Sequence, residues 1–91
     1  MNKPTNASVV MYTTRFCPYC QAARALLKGK TVAYEDIAVD GQPALRAKME
    51  KLSGQHTVPQ IWVGDTHVGG YTDLSALDQT GQLDSLLAVQ S

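Results

Sequence analysis

The chain carries no surplus charge. Eight Lys and Arg residues balance eight Asp and Glu, so the formal net charge is zero with histidines neutral. Non-specific nucleic-acid binding needs clustered cations against phosphates, and attraction to an anionic membrane surface needs the same. Neither partner is expected. Long apolar runs are missing too: no stretch approaches the roughly 18 to 20 residues of a membrane-spanning helix. The opening MNKPTNASVVMY lacks the apolar centre of a secretory signal. These absences predict a soluble protein of the reducing cytoplasm. Cysteine is scarce, two residues in 91, which excludes a scaffold built on disulfides. Repeats, low-complexity tracts and linkers are absent as well, so residues 1–91 read as one small domain. Apolar residues make up 44% of it, a globular value. Nothing suggests an exposed association seam, and a monomer is expected.

What is present reads as alternating strands and helices. ASVVMYTT (Ala7 to Thr14) is β-branched and almost continuously apolar, which suits a central strand covered on both faces. A helical pattern follows, with Tyr19, Ala23, Leu26 and Leu27 on one face, Pro18 in its first turn and Gly29 as its stop. VAYEDIAV (Val32 to Val39) predicts a second strand. Pro43 opens a second helix with Leu45, Met49 and Leu52 on one face and Gly54 as its stop. QIWV (Gln60 to Val63) and THVG (Thr66 to Gly69) predict a hairpin turning at Gly64-Asp65. Thr72 is the expected N-cap of a third helix that ends at Gly81. A last short helix turns Leu83, Leu86 and Leu87 inward. The order β-α-β-α-β-β-α-α predicts an α/β fold. Its first two strands pair parallel, and a closing hairpin completes a four-stranded mixed sheet with helices on both faces.

The two cysteines, Cys17 and Cys20, stand two residues apart where the first strand gives way to the first helix. Three chemistries compete. A disulfide closing so short a loop removes little unfolded-state entropy, and a reducing compartment does not maintain it. A structural zinc site wants four ligands, and here one cysteine pair is accompanied only by His56 and His67. Their separation of eleven is not the short spacing of zinc ligands. Dithiol redox chemistry fits best, because Cys-x-x-Cys at a strand-to-helix junction is the redox pattern. The thiolate is the nucleophile, and unpaired N–H groups at a helix N-terminus favour an anion at Cys17. Donation from the Tyr19 and Cys20 N–H groups and the charge of Arg15 add to that effect. Cys20, one turn further in, is expected to be more buried and harder to ionise. Cys17 then attacks a disulfide, and Cys20 resolves the mixed disulfide and releases the product.

CPYC at 17–20, TVPQIWV at 57–63 and GGYTDL at 69–74 appear together in this order. In these motifs, and over nearly its whole length, the chain resembles glutaredoxins of the small dithiol class. The resemblance implies a thioredoxin fold and glutathione-dependent thiol–disulfide exchange on protein disulfides and glutathionylated proteins. It implies glutathione as reductant and co-substrate, regenerated indirectly by glutathione reductase and NADPH, with no metal cofactor. Ribonucleotide reductase is a partner of many dithiol members.

The same resemblance assigns glutathione contacts. Thr57, Val58 and Pro59 form the loop with a cis proline facing the cysteines, and the main chain of Val58 pairs with the cysteinyl part of the ligand. Without the family, Pro59 reads as a proline at the start of a strand. Thr72 and Asp73 take the γ-glutamyl end, with Gly69-Gly70 allowing close approach of the backbone. Arg15 and, in a supporting role, Arg46 meet the glycyl carboxylate, and Tyr19 lines the site. Alternatively Arg46 is a solvated helix-face charge. His56 departs from the family pattern and is expected to face water. Trp62 is expected in the core. No third cysteine stands at Tyr71. The rival reading is a module that holds an iron–sulfur cluster between two chains through Cys17 and glutathione. Pro18 and Cys20 argue against it, since a cluster ligand must keep Cys17 free.

Overall fold

The computed structural model describes residues 8–88. The elements follow in the expected order: β1 (Val9–Thr13), α1 (Pro18–Gly29), β2 (Glu35–Ala38), α2 (Pro43–Ser53), β3 (Gln60–Val63), β4 (Thr66–Gly69), α3 (Tyr71–Gln79) and α4 (Gln82–Ala88). The strands form one four-stranded sheet in the order β2-β1-β3-β4. β1 pairs parallel with β2 and antiparallel with β3, and β3 and β4 form the antiparallel hairpin. The near-continuous apolar run of β1 is thus explained by its central place between β2 and β3.

Strand alternation splits the core into two layers. Val9, Met11, Ile61 and Val63 pack against Ala23 and Leu27 of α1, Leu74 of α3, and Leu83 and Leu87 of α4. Tyr12 faces the other way, with Val39 and with Met49 of α2, and Val10, Ile37, Leu45 and Trp62 pack around them. Trp62 meets Tyr12 edge-to-face at 5.5 Å, so its expected core role holds. Lys30, just past α1, bridges to Asp78 at 2.7 Å and Asp84 at 2.8 Å, tying the end of α1 to α3 and α4.

Ala7, the expected start of β1, lies outside the described residues. Other boundaries and faces differ from the sequence reading. β2 begins at Glu35 rather than Val32, because as an edge strand it extends only where β1 offers partners, from Val10↔Glu35 to Thr13↔Ala38. Leu52 does not share the burial of Met49: it is 56% exposed in the last turn of α2, where the chain leaves through left-handed Gly54. The N-cap of α3 is Gly70, not Thr72. The Asp73 carboxylate reaches back and accepts the Gly70 N–H at 3.1 Å, starting the helix two residues early.

Candidate active site

Cys17 is the N-cap of α1, in extended conformation, and Pro18 follows at the first helical position. Pro18 has no N–H to leave unsatisfied there, which lets the helix begin directly after the cysteine. Cys17 is half-buried, whereas Cys20 is completely buried, and both are free thiols. The Cys17 thiol caps no N–H of α1. It points instead across to the Val58 carbonyl, 3.8 Å away. The expected donation from Tyr19 and Cys20 is therefore not made in this state. A neutral thiol is itself a donor and seeks an acceptor.

Burial pushes the Cys20 thiol up to about 11, opposed by the Thr14 backbone and reinforced by the neighbouring Cys17. Below it lies a polar cluster. Arg24, one turn on from Cys20, donates to Asp36 at 2.7 Å and to the Thr13 hydroxyl at 3.0 Å. The Thr13 hydroxyl in turn donates to Asp36 at 2.6 Å. Asp36 holds the guanidinium of Arg24 above its ordinary value.

A groove of about 310 Å³ opens beside these cysteines. Its walls are Tyr19 of α1, Gln55 and Thr57–Pro59 of the loop before β3, and Gly70–Asp73 at the start of α3. The Val58–Pro59 bond is cis, as the resemblance implied, and Pro59 also stands directly before β3, where a strand-start proline would. Gly69 has φ +112°, and a Cβ there would lie 2.5 Å from the Asp73 carboxylate oxygen. A side chain at Gly70 would meet only the Pro59 carbonyl, at an ordinary 3.5 Å. Of the two glycines, the first is the one the backbone requires.

The expected ligand residues divide. Tyr19, Thr57, Val58, Pro59, Gly70, Thr72 and Asp73 line the groove together. Arg15 and Arg46 do not. Arg15 is 73% exposed and pairs with Asp40 at 3.1 Å. The guanidinium holds the Asp40 carboxyl below its usual range. Arg46 donates to the His56 carbonyl at 3.0 Å and lies 3.7 Å from Glu50, so it braces the loop rather than standing free on its helix. His56 is exposed. Two groove residues escaped the sequence reading, Gln55 and Tyr71. The Tyr71 ring stands 6.4 Å from that of Tyr19. Its position between Gly70 and Thr72, both singled out, was the available signal. Gln55 offered none.

Similar proteins cover most of the chain. A family model described as Glutaredoxin matches residues 9–68. A glutaredoxin of Pseudomonas aeruginosa is 55% identical over 80 residues, covering 88% of this chain and 95% of the relative. Among solved structures, a glutaredoxin from Brucella melitensis superposes with a TM-score of 0.83 at 45% identity, covering 96% of this chain and 95% of the other. A buckwheat glutaredoxin–glutathione complex superposes with a TM-score of 0.83 at 25% identity, covering 92% of this chain and 83% of the other.

Proposed function

Since the chain belongs to the glutaredoxin family and is a dithiol, glutathione-dependent thiol–disulfide oxidoreductase, we propose that Cys17 is its nucleophile, Cys20 its resolving thiol and the adjoining groove its glutathione site. One observation carries this reading: a half-buried sulfur at a helix N-terminus lies 3.8 Å from the carbonyl of Val58, a residue of the groove wall, with a second, completely buried thiol one turn on in the same helix.

The Cys17 thiolate attacks one sulfur of a substrate disulfide. A Cys17 mixed disulfide forms and the other substrate sulfur leaves as a thiolate. Cys20 gives up its proton and attacks the Cys17 sulfur, releasing the reduced substrate and leaving a Cys17–Cys20 disulfide. One glutathione thiolate opens that disulfide to a Cys17–glutathione mixed disulfide. A second attacks the glutathione sulfur, so glutathione disulfide departs and the thiolate returns. On a glutathionylated protein Cys17 attacks the glutathione sulfur directly, and Cys20 is not required.

Once Cys17 ionises, its sulfur becomes an acceptor, and the free first-turn N–H groups of α1 replace the Val58 carbonyl as its favoured partners. The Val58 main chain is then available to pair with the cysteinyl peptide of glutathione. The N–H groups at the start of α3 and the Asp73 carboxylate receive the γ-glutamyl carboxylate and ammonium. Arg15 receives the glycyl carboxylate after leaving Asp40. Arg46 contributes through its hold on the His56 carbonyl. The substrates are disulfide-bonded or glutathionylated proteins, ribonucleotide reductase among them, in a cytoplasm poised by glutathione. Among the described residues no helix is long and apolar enough to cross a membrane.

The test is an assay coupled to glutathione, glutathione reductase and NADPH on a glutathione mixed disulfide. Turnover in the wild type and none in Cys17→Ser is the expected result. A silent wild type beside an active control enzyme would overturn the assignment.

A further inference from the structure

Gln60 begins β3 and is completely buried, in a core whose only other buried polar side chain among the described residues is Thr13. A buried amide must satisfy its donors and its acceptor within the protein. Its nitrogen lies 3.1 Å from the Thr57 carbonyl, 3.1 Å from the Gln55 side-chain oxygen and 3.3 Å from the Thr57 hydroxyl. The Thr57 carbonyl can only accept, so the amide nitrogen faces the loop and the amide oxygen faces away from it. That oxygen lies 2.8 Å from Nε2 of His67. An amide oxygen cannot donate, so Nε2 of His67 carries a proton and donates it.

The His67 ring is itself fixed. It stands opposite Trp62 in the β3–β4 register and stacks on the indole with centroids 4.6 Å apart. A bulge in the ladder between Ile61 and Trp62 leaves Val68 without a paired residue and sets the local register of β4 there. A continuous chain of donors therefore runs from β4 through β3 to Gln55 and Thr57. Both of these residues line the groove, and the next residue, Val58, turns its carbonyl to Cys17.

We propose that Gln60 and His67 are positioning residues, a buried relay that fixes the Gln55–Pro59 wall of the groove and so sets the affinity for glutathione without touching it. The proposal rests on the groove being the glutathione site. The hairpin edge, which bears no reacting group, thereby becomes part of the recognition machinery.

The experiment is steady-state turnover on a glutathione mixed disulfide with glutathione varied, in the wild type and four variants. Gln60→Met removes both ends of the relay at similar volume. His67→Phe keeps a ring on Trp62 and removes only the donor. His67→Gln places an N–H at nearly the reach of Nε2. The double variant Gln60→Met/His67→Phe tests whether the two act as one chain. The apparent KM for glutathione is expected to rise about five- to twentyfold in Gln60→Met and about three- to fivefold in His67→Phe, with kcat held within about twofold. His67→Gln restores KM to within about twofold of the wild type, and the double variant is no worse than Gln60→Met. A purely structural role lowers the melting temperature and leaves KM in place. An unchanged KM in folded His67→Phe, or an increase that His67→Gln fails to restore, overturns the relay. Should Gln60→Met not fold, the two His67 variants decide alone. Wild-type turnover that does not depend on glutathione would instead bring down the groove assignment, and the relay with it.

Discussion

The α1 side of the groove holds the two thiols proposed to react, whereas the side made by residues 55–59 and the start of α3 holds shape. On the first side Cys17 opens toward solvent, Cys20 lies directly behind it, and Arg15 extends 73% exposed toward Asp40. On the second, main-chain groups in and beside the groove wall are braced by side chains: Thr57 by Gln60, the His56 carbonyl by Arg46, Gly70 by Asp73. Reactivity needs one sulfur free to move between partners, and the spacing within one helical turn is enough to arrange the pair. Recognition needs polar groups already in place before the ligand arrives, and here they are held by hydrogen bonds to side chains three to ten residues away.

The sharpest break of this contrast lies in the cysteines. Cys17→Ser should abolish turnover on every disulfide substrate, a loss of at least ~10³-fold, since the other thiol, Cys20, is completely buried and out of a substrate's reach. Cys20→Ser should cost on the order of 10²-fold on protein disulfides, where an intramolecular attack is replaced by a bimolecular one. Glutathione mixed disulfides should remain substrates. Equal losses on the two substrate types would erase the division of labour between the sulfurs.

Burial at Cys20 also has a signature in stability. Its folded value of about 11 stands above the ordinary 9.0. Below pH 9 the thiol is protonated folded and unfolded, and its burial is undisturbed. Between pH 9 and 11 the unfolded chain releases the proton while the folded chain retains it, so stability falls as pH rises through this window. The loss is roughly 2–3 kcal/mol. Urea unfolding of the reduced protein across this range should show the decline in the wild type and not in Cys20→Ser. Parallel curves would mean that burial at Cys20 does not oppose its ionisation.

The two sides also differed in how far the sequence revealed them. Cys17, Pro18 and Cys20 were legible because their spacing, the strand before them and the helix after them lie within one short segment. The element order and the central place of β1 were legible from periodicity. What escaped depends on how the folded chain surrounds each residue rather than on that residue's type and spacing. Leu52 fits the apolar face of α2 by spacing, yet it falls where nothing packs over it. Thr72 is a good N-cap by residue type, but the Asp73 carboxylate captures the Gly70 N–H first. Gln60 reads as one polar letter at the start of a strand, and only the fold places Thr57 on one side of it and His67 on the other. Arg15 was legible as a cation near Cys17, while its capture by Asp40 was not.

On the recognition side the next largest effect is expected at Gly69. A Cβ there meets the Asp73 carboxylate at 2.5 Å, and φ +112° disfavours any L side chain. Gly69→Ala should cost about 1–3 kcal/mol of stability. It should also displace Asp73, raising the KM for glutathione roughly five- to tenfold with little change in kcat. Gly70→Ala meets only ordinary contact with the Pro59 carbonyl and should change both quantities less. If the two substitutions behave alike, the close approach at Gly69 is not what holds Asp73 in place.

The smallest effect separates the two sides at Arg15. Asp40 is ionised at neutral pH, as any ordinary aspartate is, and the guanidinium holds its carboxyl still lower than the usual range. The pair therefore persists at assay pH and weakens only as pH falls through that lowered value. Glutathione must compete with Asp40 for an exposed cation, so Arg15→Ala should raise the KM for glutathione only about two- to threefold. Asp40→Asn removes the competing charge while keeping its shape, and it should lower KM by a similar factor. Added salt should narrow both differences, because the exposed guanidinium is screened. A KM that rises in Asp40→Asn would instead mean that Asp40 aims Arg15 at the ligand. The α1 side would then be as preorganised as the side it faces.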